Sequence, residues 1–151
     1  MLGDAMTQQE FDEILRLHAA WLADAPDGKI ADLTHADLAG VDMTDADLTC
    51  AFMAEADLTG ADLSYTRLAR ADLTDAKMNR AHLKHVDMSD ANLTRAHMVS
   101  ADLTEADLSG SDLTRVNLAY ADLTGADVTG AKLACADLRH ANFSDTIGRQ
   151  I

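Results

Sequence analysis

Aromatic residues are scarce here: three Phe, two Tyr and one Trp in 151 positions. A core drawn from this sequence is aliphatic and lacks the large rings that anchor most globular interiors. No apolar run approaches the roughly 20 residues needed to cross a bilayer, which argues against a spanning helix and a membrane partner. The opening MLGDAMTQQE has neither a basic region nor an apolar stretch and does not read as a signal peptide. Cysteine occurs twice, at Cys50 and Cys135, and proline once, at Pro26. Basic residues are outnumbered, 12 Lys and Arg against 26 Asp and Glu, for a formal net charge of −14. A glycine-rich phosphate loop, a nucleophile elbow and a cluster of metal ligands are also missing. The chain therefore reads as a non-enzyme that uses no cofactor and no metal.

What the sequence has instead is a period. Residues 101–128, ADLTEADLSGSDLTRVNLAYADLTGADV, place a large apolar residue at every fifth position, from Leu103 to Val128, without drift. A helix cannot use this spacing, because five steps of about 100° turn the side chain by about 140°. Nor can a strand, since every fifth residue alternates between its two faces. A chain that bends once per repeat can, because each large residue then returns to a common axis. The frame runs from Leu33 to Phe143, 23 repeats with no insertion or deletion. Ala stands two places before the centre in 18 of them, with Val41, Thr66, Val86, Ser111 and Val116 as the exceptions. Between the two lies Asp in 14 repeats and Asn in three.

This A-(D/N)-L-(T/S)-x pattern resembles the pentapeptide-repeat family over residues 31 to about 145. The resemblance implies an all-β solenoid, a right-handed quadrilateral β-helix in which four repeats make one coil and each repeat forms one side. Alternate residues of such a tube point inward, leaving room for one large and one small residue per side, and Leu with Ala meets that limit. The Asp between them faces outward, where it aids solubility and can bond backbone N–H groups at the bends. Coils rise about 4.8 Å each, the ordinary inter-strand spacing, so about 5.75 coils make a tube roughly 28 Å long. On this frame Cys50 and Cys135 lie about 20 Å apart, beyond disulfide reach. Free thiols suit a reducing cytoplasm, the expected location.

Solenoid ends need covering, because they expose core and unpaired backbone. Thr7 and Glu10 have capping-box spacing, and Phe11, Ile14, Leu15, His18 and Leu22 follow at helical spacing, with Trp21 widening the stripe. This predicts an amphipathic helix over residues 7–24 lying across the first coil, with His18 and Trp21 as packing residues. Pro26 and Gly28 then supply the turn into the tube. The division is thus 1–30 capping helix and turn, 31–145 β-helix, 146–151 tail. The tail, SDTIGRQI after Phe143, is too short for a second helix. Either it folds over the last coil or two C-terminal ends meet in a symmetric homodimer, with Phe143, Ile147 and Ile151 as contacts. Gyrase-directed members of the family dimerise there, which the resemblance carries over as an expectation.

Charge carries the functional reading. Residues 31–145 hold 20 acidic and nine basic residues, about one net charge per 2.5 Å of tube, against about one per 1.7 Å for duplex DNA. The resemblance therefore allows a DNA mimic that occupies DNA gyrase or another DNA-binding protein, as proposed for gyrase-directed members of the family. Residues 31–66 contain Asp32, Asp37, Asp42, Asp45, Asp47, Glu55, Asp57 and Asp62 and no Lys or Arg, making them the candidate partner-binding acidic surface. Against mimicry, residues 67–97 carry Arg67, Arg70, Lys77, Arg80, Lys84 and Arg95 against four Asp. The tube is also short and lacks the Phe-rich centres and projecting loop of several gyrase-directed members. The basic band occupies all four sides, a weak footprint for nucleic acid, so no direct nucleic-acid binding is expected and the band pairs with acids above and below. His82, His85 and His97 read as surface histidines. Phe52, where Asp is usual, is an exposed aromatic: a partner contact or a harmless substitution. The expected function is a non-catalytic rod that binds a protein partner; the alternatives are the DNA mimic and a secreted effector or prophage accessory protein using the tube as scaffold.

Overall fold

Thr7 caps the helix that opens the fold. In the computed structural model, which describes residues 5–148, its hydroxyl accepts from the Glu10 N–H while the Glu10 carboxylate accepts from the Thr7 N–H at 2.9 Å. This reciprocal pair starts helix α1 (Gln8–Leu22), three residues shorter than the predicted 7–24 span. Phe11 and His18 form its buried face, and Ile14 and Leu15 pack against the core beside them. Trp21 and Leu22 stay partly exposed. Beyond the turn, Gly28 lies so close to the Trp21 backbone that a Cβ would collide with it. The chain thus returns tightly along the helix, and the Lys29 N–H donates to the Leu17 carbonyl at 3.0 Å.

From residue 31 each repeat performs the same steps. The residue between Ala and Leu forms a parallel bridge with the residue twenty places on, from Asp32 with Phe52 to Asp127 with Ile147. Twenty residues are four repeats, so the cross-section has four sides. Leu83 shows the bonding: its N–H donates to the Asp102 carbonyl at 2.8 Å, while the neighbouring His82 N–H donates to Ala61 at 2.9 Å in the coil before. The bend closes through Val86 N–H to the Leu83 carbonyl at 3.3 Å.

Every bend has a left-handed residue two places after the centre: 18 non-glycine residues and five glycines across the 23 repeats, with φ from 53° to 77°. For a non-glycine residue this costs about 1–2 kcal/mol. Burying the Leu of the same repeat returns about 1.5–3 kcal/mol, and the outward Asp helps hold the bend. At Asp107, Oδ1 accepts from the Ser109 N–H at 2.9 Å and from its hydroxyl at 2.6 Å. Inside, the centres from Leu33 to Val128 are all buried. Thr66 and Ser111 occupy small-residue positions, and their hydroxyls donate to the Met43 and Leu108 carbonyls, each at 2.7 Å.

The first coil has no coil before it, and α1 supplies what a preceding coil would have bonded. The Gln8 amide accepts from the Asp42 N–H at 2.9 Å and donates to the Asp42 carbonyl at 3.0 Å. Met6 N–H donates to the Asp37 carbonyl at 2.8 Å. His18 Nδ1 accepts from the Ala31 N–H at 3.0 Å, and its Nε2 lies 3.1 Å from the Thr49 carbonyl. At the other end Leu133, Leu138 and Phe143 are only partly buried. The ladder runs two residues past the 31–145 segment: Ile147 donates to Ala126 and accepts from Val128, both at 2.9 Å, and its side chain is 59% exposed. Ile151 lies outside the described residues.

Candidate partner-binding surface

The twenty-residue register sorts the outward side chains into four ladders. Side one carries Asp32, Phe52, Asp72, Asn92, Asp112 and Lys132, and side two Asp37, Asp57, Lys77, His97, Asn117 and Asp137. On side three stand Asp42, Asp62, His82, Asp102, Asp122 and Asn142, and on side four Asp47, Arg67, Asp87, Asp107, Asp127 and Ile147. The eight carboxylates singled out in residues 31–66 therefore encircle the first two coils instead of sharing one face. Asp37 stacks on Asp57 and Asp42 on Asp62, while Asp32 is followed by Phe52 and Asp47 by Arg67. Phe52 is 46% exposed, as its position between Ala and Leu requires.

Nor does that stretch lack opposing charge. Arg67 reaches back one coil to Asp47 at 2.9 Å, Lys77 to Asp57 at 3.6 Å, and the His35 ring lies 3.3 Å from Glu55. Burial pushes the Asp47 carboxyl up, but hydrogen bonds from Thr49 and from Arg67 outweigh it and hold it below the usual carboxylate range. The Thr59 hydroxyl, with Lys77 adding to it, does the same for Asp57. Asp32 is lowered by Thr34 and Asp42 by the Thr44 N–H. Four of the six bases in the band pair with acids on neighbouring coils: besides Arg67 and Lys77, Arg95 bonds Asp75 at 2.8 Å and Lys84 lies 3.7 Å from Asp102. His82 and His97 stand on different sides, and His85 stacks on Tyr65 with ring centroids 4.8 Å apart. Among the described residues no three His, Cys, Asp or Glu side chains are placed to hold a metal ion.

A stronger charge pattern emerges when sides are taken in pairs, each with the bends that follow it. Over residues 31–148, sides one and two hold eight acidic and six basic residues, a net of −2, while sides three and four hold twelve and three, a net of −9. The three bases are Arg67, Arg70 and Lys84. Beyond Lys84 the same two sides present Asp87, Asp90, Asp102, Glu105, Asp107, Asp122, Asp127 and Asp145 with no Lys or Arg. Reading along the chain hides this edge, because Arg95, Arg115, Lys132 and Arg139 interleave with those acids in sequence. All four belong to the other two sides. Counting at a period of twenty would have found it.

The register, the left-handed bends and the Leu and Ala interior place the molecule in a family. Eight copies of the pentapeptide repeats family model match residues 31–64, 53–90, 71–110 and 111–147, and the chain belongs to this family, whose members form right-handed quadrilateral β-helices. Solved structures of other pentapeptide repeat proteins resemble it. A pentapeptide repeat protein from the cyanobacterium Cyanothece 51142 is 32% identical, with a TM-score of 0.60, over 62% of this chain and 64% of that one. Another, from the Arabidopsis thaliana thylakoid lumen, is 31% identical, with a TM-score of 0.58, over 60% of this chain and 63% of that one. The match thus spans less than two thirds of either relative. Among curated proteins none matches the chain. No helix of the described residues is long and apolar enough to cross a membrane.

Proposed function

We propose that this chain is a non-catalytic rod that binds a protein partner through the acidic edge formed by sides three and four. The observation that carries this reading is the segregation of charge, −9 on that half of the tube against −2 on the other. A regular tube with a filled interior offers a partner its outward ladders, and a one-signed edge selects partners with a basic surface. On this reading the cytoplasm is the working compartment, residues 1–30 cap the tube, and residues 146–151 finish it. The partly buried Leu133, Leu138 and Phe143 favour a homodimer through the C-terminal end.

A narrower version makes the partner a DNA-binding protein such as gyrase. It is favoured by spacing: nine net charges along roughly 28 Å give about one per 3 Å, close to the 3.4 Å of phosphates along one DNA strand. Two matched variants test both versions. One replaces Asp87, Asp107, Asp122 and Asp127 by Asn, and the other replaces Asp57, Asp72, Asp112 and Asp137. Both keep an oxygen for the bend hydrogen bonds and remove four charges. The first should lose the partner captured by the unmodified protein at low salt, and the second should keep most of it; equal losses would reject the edge. If the unmodified protein leaves supercoiling by purified gyrase untouched at micromolar concentration, gyrase is not the partner. Deleting residues 1–30 tests the cap separately: a truncated tube that stays folded and keeps the oligomeric state of the whole chain would reject that role.

A further inference from the structure

His18 is wholly buried, and the hydrogen-bonding needs of its neighbours fix its state. The Thr49 carbonyl can only accept, so Nε2 carries the ring proton and donates to it; the Ala31 N–H can only donate, so Nδ1 is unprotonated and accepts. Both backbone groups lie on the first coil. In later repeats the N–H equivalent to that of Ala31 bonds the preceding centre, as Ala51 bonds Leu48 at 3.0 Å. No centre precedes Ala31, and the imidazole stands in for one. We propose that His18 is an acid-sensitive latch, holding α1 on the tube while neutral and releasing it when protonated.

A proton on Nδ1 would face the Ala31 N–H, donor against donor. It would break one hydrogen bond, leave a buried N–H without an acceptor, and place a cation in a seat on the first coil that is shut off from water. The charged groups near the ring are few. Asp47 on side four attracts the cation, but that carboxylate is already paired with Arg67; from its own helix the ring meets the uncharged Trp21, stacked at 5.5 Å. Burial accordingly lowers the affinity of His18 for a proton, outweighing the Thr49 bond and Asp47. The sign follows. A released His18 binds protons at its ordinary value near 6.5, so docking is at full strength above that pH and weakens below it, by up to about tenfold per pH unit until the docked ring also protonates.

The latch rests on the docked helix, and its failure is separable from failure of the capping role, which the deletion of residues 1–30 reads. Trp21 is the only tryptophan in the chain, so its emission reports α1. On titration from pH 7.5 to 5, the emission of the unmodified protein should shift toward that of solvent-exposed tryptophan. His18→Gln supplies the control, because an amide offers an acceptor and a donor without titrating, as Gln8 does at Asp42. Its emission should stay at the docked value throughout. A flat unmodified protein, or a His18→Gln variant that shifts alike, overturns the latch. If His18→Gln is undocked already at pH 7.5, nitrogen chemical shifts of the unmodified protein decide: an unprotonated Nδ1 and a pKa below the ordinary histidine value sustain the proposal, and any other tautomer or a pKa at or above it rejects it.

Discussion

At the residue scale, two neighbours in a repeat have opposite duties. Leu83 is fully buried near the middle of the tube, and a carboxylate there would have no partner. Leu83→Asp should destabilise by several kcal/mol. Asp107 faces outward, and Asn at that site can still accept the Ser109 hydrogen bonds, so Asp107→Asn should change stability by less than about 0.5 kcal/mol. Urea unfolding of both variants checks the assignment of faces, and similar losses would contradict it. These inward and outward positions were legible in the sequence because each repeat restates them. The left-handed bends were not. Arg, Asp, His, Tyr and Cys share that position with Gly, so no residue preference announces a positive φ that the closed ladder imposes.

Helix α1 sets the next scale. Its start was readable because Thr7 and Glu10 are a local pair, three residues apart. Thr7→Ala removes the hydroxyl that accepts from the Glu10 N–H, leaves the backbone bond from the Thr7 N–H to the Glu10 carboxylate, and should cost about 1 kcal/mol. That loss belongs to α1 alone, since each coil leans only on its neighbours. Amide exchange should therefore quicken about fivefold in residues 8–22 and stay unchanged from about residue 70 onward; a uniform rise would mean that helix and tube unfold as one unit. The roles of Gln8 and His18 were not legible. Both answer backbone groups left open on the first coil, and only the three-dimensional register shows which groups those are. His18 therefore read as packing alone.

For the whole molecule, acid acts through many small sites. Arg139 holds Asp137 down at about 2, and bonds from the neighbouring bend lower Asp32, Asp112 and Asp127. These folded-state values lie below the ordinary Asp value near 3.9, so the unfolded chain binds more protons between the two. The stability they contribute is present above about pH 4 and is lost as the pH falls toward 2. The thermal midpoint should accordingly fall below pH 4. A midpoint that keeps rising to pH 2.5 would mean that relief of repulsion among the acids outweighs the lost bonds. The acidic edge itself was illegible at a period of five, since that period carries no information about which side a repeat occupies.

The twenty-residue register also governs how such a molecule can change length. A one-residue insertion near Arg80 would turn every later Asp inward and every later Leu out, and the tube beyond it could not close. Inserting five residues would leave the interior intact while advancing everything downstream by a quarter turn. Asp107 and Asp127 would then no longer stand below Asp47 and Arg67, and the acidic edge would break into two strips on adjoining faces. Only insertions of a whole coil would lengthen the edge and keep it straight. The fold therefore tolerates growth in steps of five, whereas the surface it presents is conserved only in steps of twenty.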